Sequence, residues 1–226
     1  MSRVKESKAA CPMRRLIPSS RVAAIAGIVG PLVAVIGIAA AILISASWFN
    51  WVTSALSDLG HPFMLGGSHG AYGLNLAAPI FNGSLIACGL ITLPLAVRLI
   101  MLQRDLKSVL GVLGGILLII AQSFLIGIGI FNESAGSIHF WVSVGFFVNI
   151  LLFGLVYGVM MMRAQKTRLF GIYTFILALV SAAIWIVYFT PLTPWAGPAI
   201  PETVSAVATL AWVFPLCIRL YRQRTE

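Results

Sequence analysis

Six long apolar runs, separated by short polar stretches, dominate the chain. Each run is long enough to cross about 30 Å of hydrocarbon at about 1.5 Å per residue. The pattern therefore predicts an all-α fold: a polytopic integral membrane protein built as a bundle of six transmembrane helices. The predicted spans cover about 22–47, 75–101, 108–131, 138–162, 169–189 and 201–220.

The six spans form one predicted transmembrane domain over 22–220. A basic leader, 1–21, precedes this domain, and we expect the leader to be disordered and cytoplasmic. Residues 221–226 form a predicted cytoplasmic tail. Met13, which is followed by two arginines, is an alternative start of the protein.

Composition agrees with the apolar pattern. Hydrophobic residues make up 60% of the chain and charged residues only 9%, whereas a soluble domain carries roughly 25% charged residues. A water-soluble globular domain is therefore excluded. The net charge of +9 does not indicate nucleic acid as a partner, because the basic residues occur in small groups between the apolar runs.

The basic residues divide the connections into two sets. All 15 lysines and arginines lie in the leader, the second–third and fourth–fifth connections, and the tail. The positive-inside rule then places both termini in the cytoplasm of a cell membrane. The four groups are Arg3, Lys5, Lys8, Arg14, Arg15 and Arg21; Arg98, Arg104 and Lys107; Arg163, Lys166 and Arg168; and Arg219, Arg222 and Arg224.

The other three connections hold every histidine and three of the acids. The longest of these connections, about 48–74, contains the sequence LSDLG at 56–60. Ser57 or Asp58 can cap a short helix there, and Gly60 can end a turn in a left-handed conformation. Alternatively, Asp58 and His61 share one face of a helical turn and form an acid/base pair or a metal site.

Further polar residues are predicted at the same depth. Asn75 and Asn82 are seven residues apart, so on one helix they point the same way, either to form helix–helix hydrogen bonds or as a polar stripe that lines an outward-facing cavity. Glu133 and His139 flank the third–fourth connection. Glu202 opens the sixth span after Pro201, which is predicted at the first helical position, and a carboxylate there complements the positive end of the helix.

Four segments resemble the membrane proteins grouped as domain-of-unknown-function family 998: LSDLG at 56–60, IFNGSLIACGL at 80–90, IHFWVSVGFF at 138–147 and PETVSAVATLAW at 201–212. More distantly, the chain is similar to the damage-regulated autophagy modulator and Sfk-like proteins. The resemblance covers the whole chain and implies a six-span fold without supplying an activity. In this sequence Thr203 follows Glu202, where the family has an arginine. The positions that the resemblance marks are Ser57, Asp58, Gly60, Asn82, His139 and Glu202.

These observations predict a multi-pass membrane protein whose outward-facing polar cluster binds lipid headgroups, a small solute or a partner. Membrane lipids are the expected partners, nucleic acid is not, and a second copy or another membrane protein is a further candidate. The expected binding residues are Ser57, Asp58, Asn75, Asn82, Glu133, His139 and Glu202.

Two alternatives remain open from the sequence. The first is a membrane-embedded hydrolase acting on lipid at the outer leaflet, with Asp58, His61, His139 and Glu202 as catalytic groups or metal ligands. The second is a small-solute transporter. The sequence contains no HExxH, CxxC, GxSxG or Walker-type motif, so no cofactor is predicted, and zinc enters only with the hydrolase hypothesis.

Overall fold

The computed structural model describes residues 18–63 and 73–222. Most of the predicted leader, including Met13, lies outside these ranges, as do His69 and the end of the predicted tail. Within them the fold is all-α, with no strands, which confirms the predicted fold class. Six helices are long and apolar enough to cross a membrane. They are α1 (Ser20–Ile44), α2 (Ala78–Asp105), α3 (Val109–Ile130), α4 (Ser137–Met162), α5 (Arg168–Tyr188) and α6 (Ala199–Arg222).

Local sequence explains where several helices begin. The hydroxyl of Ser19 accepts a hydrogen bond from the Val22 amide at the start of α1, and Ser108 does the same for Gly111 at the start of α3. Both serines thus satisfy amides that have no partner inside the helix. Gly136 precedes α4 with a φ of 59°, a conformation that suits glycine.

Two predicted helix starts are wrong in detail. The second span was expected to include Asn75, but α2 begins at Ala78, and the Asn75 side chain instead accepts a hydrogen bond from the Ala77 amide in the turn before the helix. Because α6 begins at Ala199, Pro201 is its third residue rather than its first. Glu202 still lies in the first turn of α6.

The six helices form a closed ring. Each helix packs against the next one along the chain, and α6 packs against α1 to complete the circle. Glycines permit the closest approaches. A Cβ atom on Gly171 of α5 would lie 2.7 Å from the Gly158 carbonyl oxygen of α4, and a Cβ on Gly27 of α1 would lie 2.6 Å from Cys217 Sγ of α6. Only residues without a side chain fit at such crossings.

The two ends of the ring differ in charge. Every lysine and arginine of the described residues lies at or near one end, which we call the basic end: the start of α1, the α2–α3 and α4–α5 connections, and the end of α6. The opposite end, the polar end, contains Asp58, Glu133 and Glu202 with His61 and His139. A core of packed apolar side chains, including Leu99, Phe153 and Trp212, fills the half of the ring nearer the basic end.

Candidate functional site

A short 3-10 helix, Leu56–Gly60, lies across the polar end of the ring and touches α1, α2 and α6. Its sequence is the LSDLG segment. Two carboxylates accept hydrogen bonds from consecutive amides at its start: Asp58 Oδ2 lies 2.8 Å from the Ala55 nitrogen, and Glu202 Oε2 lies 2.7 Å from the Leu56 nitrogen. The N-terminal amides of this helix are therefore satisfied partly by a side chain from 146 residues away.

This arrangement changes two sequence interpretations. The residue before the helix is Ala55, so Ser57 and Asp58 lie inside the helix. The Asp58 side chain caps the helix by accepting a hydrogen bond from the Ala55 amide. Glu202 was interpreted as a cap of its own helix. Its Oε2 instead accepts from the Leu56 amide of another segment, while its backbone amide donates to the Pro198 carbonyl.

Two asparagine amides hold the other end of the short helix. Asn75 Nδ2 donates to the carbonyls of Leu59 (3.1 Å) and His61 (2.9 Å), and Asn82 Nδ2 donates to the carbonyl of Gly60 (2.8 Å). Asn75 and Asn82 therefore bind the same segment, but not from one helix as predicted, because only Asn82 lies on α2. Carbonyl groups that a short helix leaves free are satisfied in this way.

Gly60 is required for space rather than for backbone conformation. A Cβ atom there would collide with Asn82 Oδ1 and would lie 2.9 Å from Phe81 Cδ1. Among the described residues only Gly136 and Lys107 have a positive φ, so the expected left-handed conformation of Gly60 is wrong. The absence of a side chain lets the helix end lie flat on α2.

His61 turns away from Asp58. Its Nδ1 lies 2.8 Å from the Phe63 carbonyl oxygen and 3.2 Å from the Phe63 nitrogen, so the ring contacts its own loop. The Asp58 oxygen Oδ2 is already bound to the Ala55 amide. The predicted acid/base pair between Asp58 and His61 is therefore not formed.

Glu133 and His139 do form a pair. His139 Nε2 lies 3.0 Å from Glu133 Oε2, and His139 Nδ1 lies 2.7 Å from the Phe131 carbonyl oxygen. The Nδ1 contact is a hydrogen bond in which the ring donates, whereas the Nε2–Oε2 contact has the distance of an ion pair without the alignment of a hydrogen bond. The geometry fits a positively charged imidazolium, with the Ser143 hydroxyl 3.3 Å from Nε2.

The acids outside the helical spans differ in their environments. Pairing with His139 holds the pKa of Glu133 below its ordinary value, against the opposing effect of burial, and the Ser57 hydroxyl lowers the pKa further. Burial raises the pKa of Asp58, although its hydrogen bond from Ala55 opposes that rise. The direction of the pKa shift is thus set mainly by pairing at Glu133 and mainly by desolvation at Asp58.

The proposed metal ligands do not meet as a metal site. Within 18–63 and 73–222, no three side chains of the histidine, cysteine, aspartate or glutamate type come together closely enough to hold an ion. Both nitrogens of His139 face oxygen acceptors, whereas a metal-bound histidine needs one nitrogen free for the ion. His61 is held through Nδ1 by its own loop, but no second and third ligand of these types come together with it among the described residues.

A cavity of about 160 Å³ lies inside the ring, directly beneath the short helix. Leu56 and Ser57 of that helix close it at the polar end, and Glu202 lies in its wall. Side chains from α1, α2, α3, α4 and α6 form the remaining walls, and most of them are apolar. The apolar wall includes Ala34, Ile38, Phe81, Leu85, Leu125, Ile128, Phe146, Phe147, Ile150 and Leu210.

The sequence suggested a cavity lined by Asn75 and Asn82, but neither residue lines this one. Its polar wall residues include Gln122, Ser143, Ser205 and Thr209, which come from three helices, α3, α4 and α6. The spacing of Ser205 and Thr209 is the one available signal, because residues four apart lie on one helix face. Most of the polar residues that were predicted, by contrast, hold the cover of this cavity in place.

A family model described as "Protein of unknown function (DUF998)" matches residues 28–219. The chain belongs to this family. The match confirms the resemblance to this family drawn from the four sequence segments, and it includes at least part of each of the six helices. No curated protein and no solved structure matches the chain. This DUF998 protein is a multi-pass membrane protein by its six apolar helices, and its cavity and covering helix lie within the matched region.

Proposed function

We propose that this DUF998 protein binds an amphiphilic molecule of the lipid bilayer in the cavity beneath the LSDLG helix. The observation that carries the proposal is a single one: an apolar cavity of about 160 Å³ with a buried carboxyl group, Glu202, in its wall. Small-molecule sites are typically concave and apolar with a few placed polar groups. The proposed role is binding, without a chemical step.

We further propose that the polar end faces outward and that both termini are cytoplasmic. The grouping of lysines and arginines at the basic end supports this orientation, since cytoplasmic connections carry an excess of these residues. In this orientation the cavity lies in the outer half of the bilayer. Its ligand would therefore come from the outer leaflet.

The geometry supports binding better than either alternative. Hydrolysis with a metal ion would need several ligands that converge, whereas no three histidine, cysteine, aspartate or glutamate side chains of the described residues do so. Transport would need a path toward the basic end, where Leu99, Phe153 and Trp212 belong to a packed apolar core. Neither alternative has an observation of its own in its favour.

The test is to identify what remains bound to the purified protein. Native mass spectrometry of wild type should show an extra mass that organic extraction removes. Ala34→Phe, which fills the cavity from α1, should abolish it. Ala39→Phe adds the same ring on an exposed face of α1 and should retain it. An extra mass that survives in Ala34→Phe would place the ligand elsewhere and overturn the proposal.

A further inference from the structure

Among the described residues, Glu202 is the one carboxyl group in the cavity wall, and one of its two oxygens has no protein donor. It is 8% exposed, and among the described residues its carboxylate accepts one protein hydrogen bond, at Oε2. Oε1 has no donor in the described part of the protein, and a carboxylate removed from bulk water is destabilised when hydrogen-bond donors are missing. Because Glu202 lines the cavity, a ligand there can supply that donor.

The other polar groups in the wall are already engaged. The Ser205 hydroxyl lies 2.8 Å from Ser181 Oγ and 3.0 Å from Trp185 Nε1. Thr209 donates to the Ser205 carbonyl, and Gln122 accepts from Thr92. Ser143 lies against the His139 ring. Of these four groups, only the amide nitrogen of Gln122 has no partner among the described residues, and as a donor it cannot pair with an ammonium group.

The charged groups around Glu202 determine which sign of charge a ligand can carry. Asp58 and Glu133 are close enough to Glu202 to repel it, and His139 is the neighbouring cation. Three carboxyl groups thus share the polar end with two histidines, His61 and His139, and the described part of this end holds no lysine or arginine. A phosphate or carboxylate headgroup would meet repulsion here, whereas an ammonium group would meet attraction.

The route into the cavity is sideways, from the membrane. Leu56 and Ser57 close the polar end, and the apolar core closes the other. Between α1 and α6, however, wall residues are also exposed on the outside of the ring: Val35 is 43% exposed, and Ala206 is exposed as well. The tight α1–α6 contact at Gly27 and Cys217 lies nearer the basic end. A cleft between Val35 and Ala206 is therefore the remaining way into the cavity, and it would open to the hydrocarbon.

We infer that the ligand is a cationic amphiphile, an apolar chain or ring carrying an ammonium group, which passes between α1 and α6 and places its ammonium group on Glu202. The inference rests on the proposed binding function and specifies its ligand class. The volume limits the buried part, because a cavity of about 150 Å³ holds one benzene-sized group. Any longer chain would extend through the cleft into the bilayer.

The test compares three probes that have the same alkyl chain and different headgroups: octylamine, octanol and octanoate. Each is equilibrated with the full-length protein in nanodiscs and with empty nanodiscs, so that partition into lipid is subtracted. Wild type should retain octylamine roughly 10- to 100-fold more tightly than octanol, the range typical of a charged hydrogen bond. Octanoate should bind least.

Two variants make the test specific. Glu202→Gln keeps an acceptor for the Leu56 amide and should lose the preference for the amine while still binding octanol. Ala206→Trp should block the cleft without touching that hydrogen bond, and should weaken binding of both probes. Ala39→Trp, on an exposed face of α1, is the matched control and should bind as wild type does.

Each outcome tests a different part of the inference. Equal binding of amine and alcohol in wild type, or an amine preference that survives in Glu202→Gln, would overturn the ligand class. The cavity itself would still stand if Ala34→Phe abolished that binding. No retention of any probe above empty nanodiscs would overturn the ligand class and the proposed function together. Full binding by Ala206→Trp would overturn the lateral route.

Discussion

Glu202 Oε2 and the Leu56 amide nitrogen, 146 positions apart in the chain, lie 2.7 Å from each other in the buried part of the polar end. This contact joins the last helix of the ring to the segment that covers the cavity. Removing it should be measurable. Glu202→Ala leaves the buried Leu56 amide without an acceptor, which costs about 1 to 3 kcal/mol.

For a chain of this size, each kcal/mol corresponds to roughly 2 to 4 °C in Tm. We therefore expect the detergent-purified Glu202→Ala protein to unfold several degrees below wild type, and Glu202→Gln to stay close to it. Thr203→Ala, which removes only a hydrogen bond within α6, is the neighbouring control. Equal Tm values for the alanine and glutamine variants would contradict the role of the Leu56 contact.

Gly60→Ala should also destabilise the polar end. The added methyl group would collide with Asn82 Oδ1 and lie 2.9 Å from Phe81, so the LSDLG helix must lift off α2. Overpacking of this kind typically costs about 1 to 3 kcal/mol. Proteolysis of nanodisc-embedded protein should then cut the first connection faster than in wild type.

Gly83→Ala provides the control, on the helix turn beside Asn82. A Cβ there meets nothing within 4 Å, and alanine is favoured over glycine in a helix by up to about 1 kcal/mol. That variant should be as resistant as wild type or slightly more so. If both glycine variants were cut equally fast, close packing at Gly60 would not be the cause.

The Glu133–His139 pair predicts a stability effect that depends on pH. Pairing lowers the pKa of Glu133 in the folded protein, so its contribution is complete at neutral pH and is lost as pH falls below the ordinary carboxyl range. Glu133→Gln should thus lower Tm at pH 7, by up to about 4 °C for a partly exposed pair. The difference from wild type should close in acid.

Asp58→Asn is expected to behave in the opposite sense. Because burial raises the pKa of Asp58, its charged form carries a penalty that grows as pH rises through that pKa. The asparagine variant keeps an oxygen for the Ala55 amide and should gain stability relative to wild type at pH 7. The gain should vanish in acid. The same pH trend in both variants would show that general acid damage, rather than these pKa shifts, is being measured.

The orientation of the ring can be tested with single cysteines. Leu192, 85% exposed in the α5–α6 connection, belongs to the polar end, and Leu106, 66% exposed between α2 and α3, belongs to the basic end. In a variant whose three native cysteines are replaced, a membrane-impermeant maleimide added to intact cells should label Leu192→Cys. Leu106→Cys should react only after the membrane is opened. The reverse pattern would invert the proposed orientation.

The helices were predictable from sequence because hydropathy acts locally. An apolar run of about 20 residues dictates a membrane helix whatever it packs against. Asn82 and His139 stood out as polar residues beside such runs. The partners of these residues were not predictable, because Gly60 and Phe131 offer backbone carbonyls that every residue possesses.

The same reason explains the wrong interpretations. Asp58 and His61 are near in sequence, and this suggested that they form a pair. Instead, each side chain contacts a backbone group of its own segment, Asp58 the Ala55 amide and His61 the Phe63 carbonyl. Glu202 suggested a local cap because its true donor, the Leu56 amide, lies in a distant part of the chain. The cavity arises only from the ring of helices, and no single segment encodes it.

The contact between the first connection and α6 also has a consequence for synthesis. Leu56 is synthesised well before Glu202. The Leu56 amide therefore lacks its Glu202 acceptor until the final helix has been inserted. Until then, the first connection can form its bonds to Asp58, Asn75 and Asn82 but not its bond to α6. Insertion of α6 thus brings the Glu202 carboxyl group into the cavity wall and completes the hydrogen bonding of the LSDLG helix in one late step. A chain that ends before α6 would have neither a complete cavity nor a fully bonded covering helix.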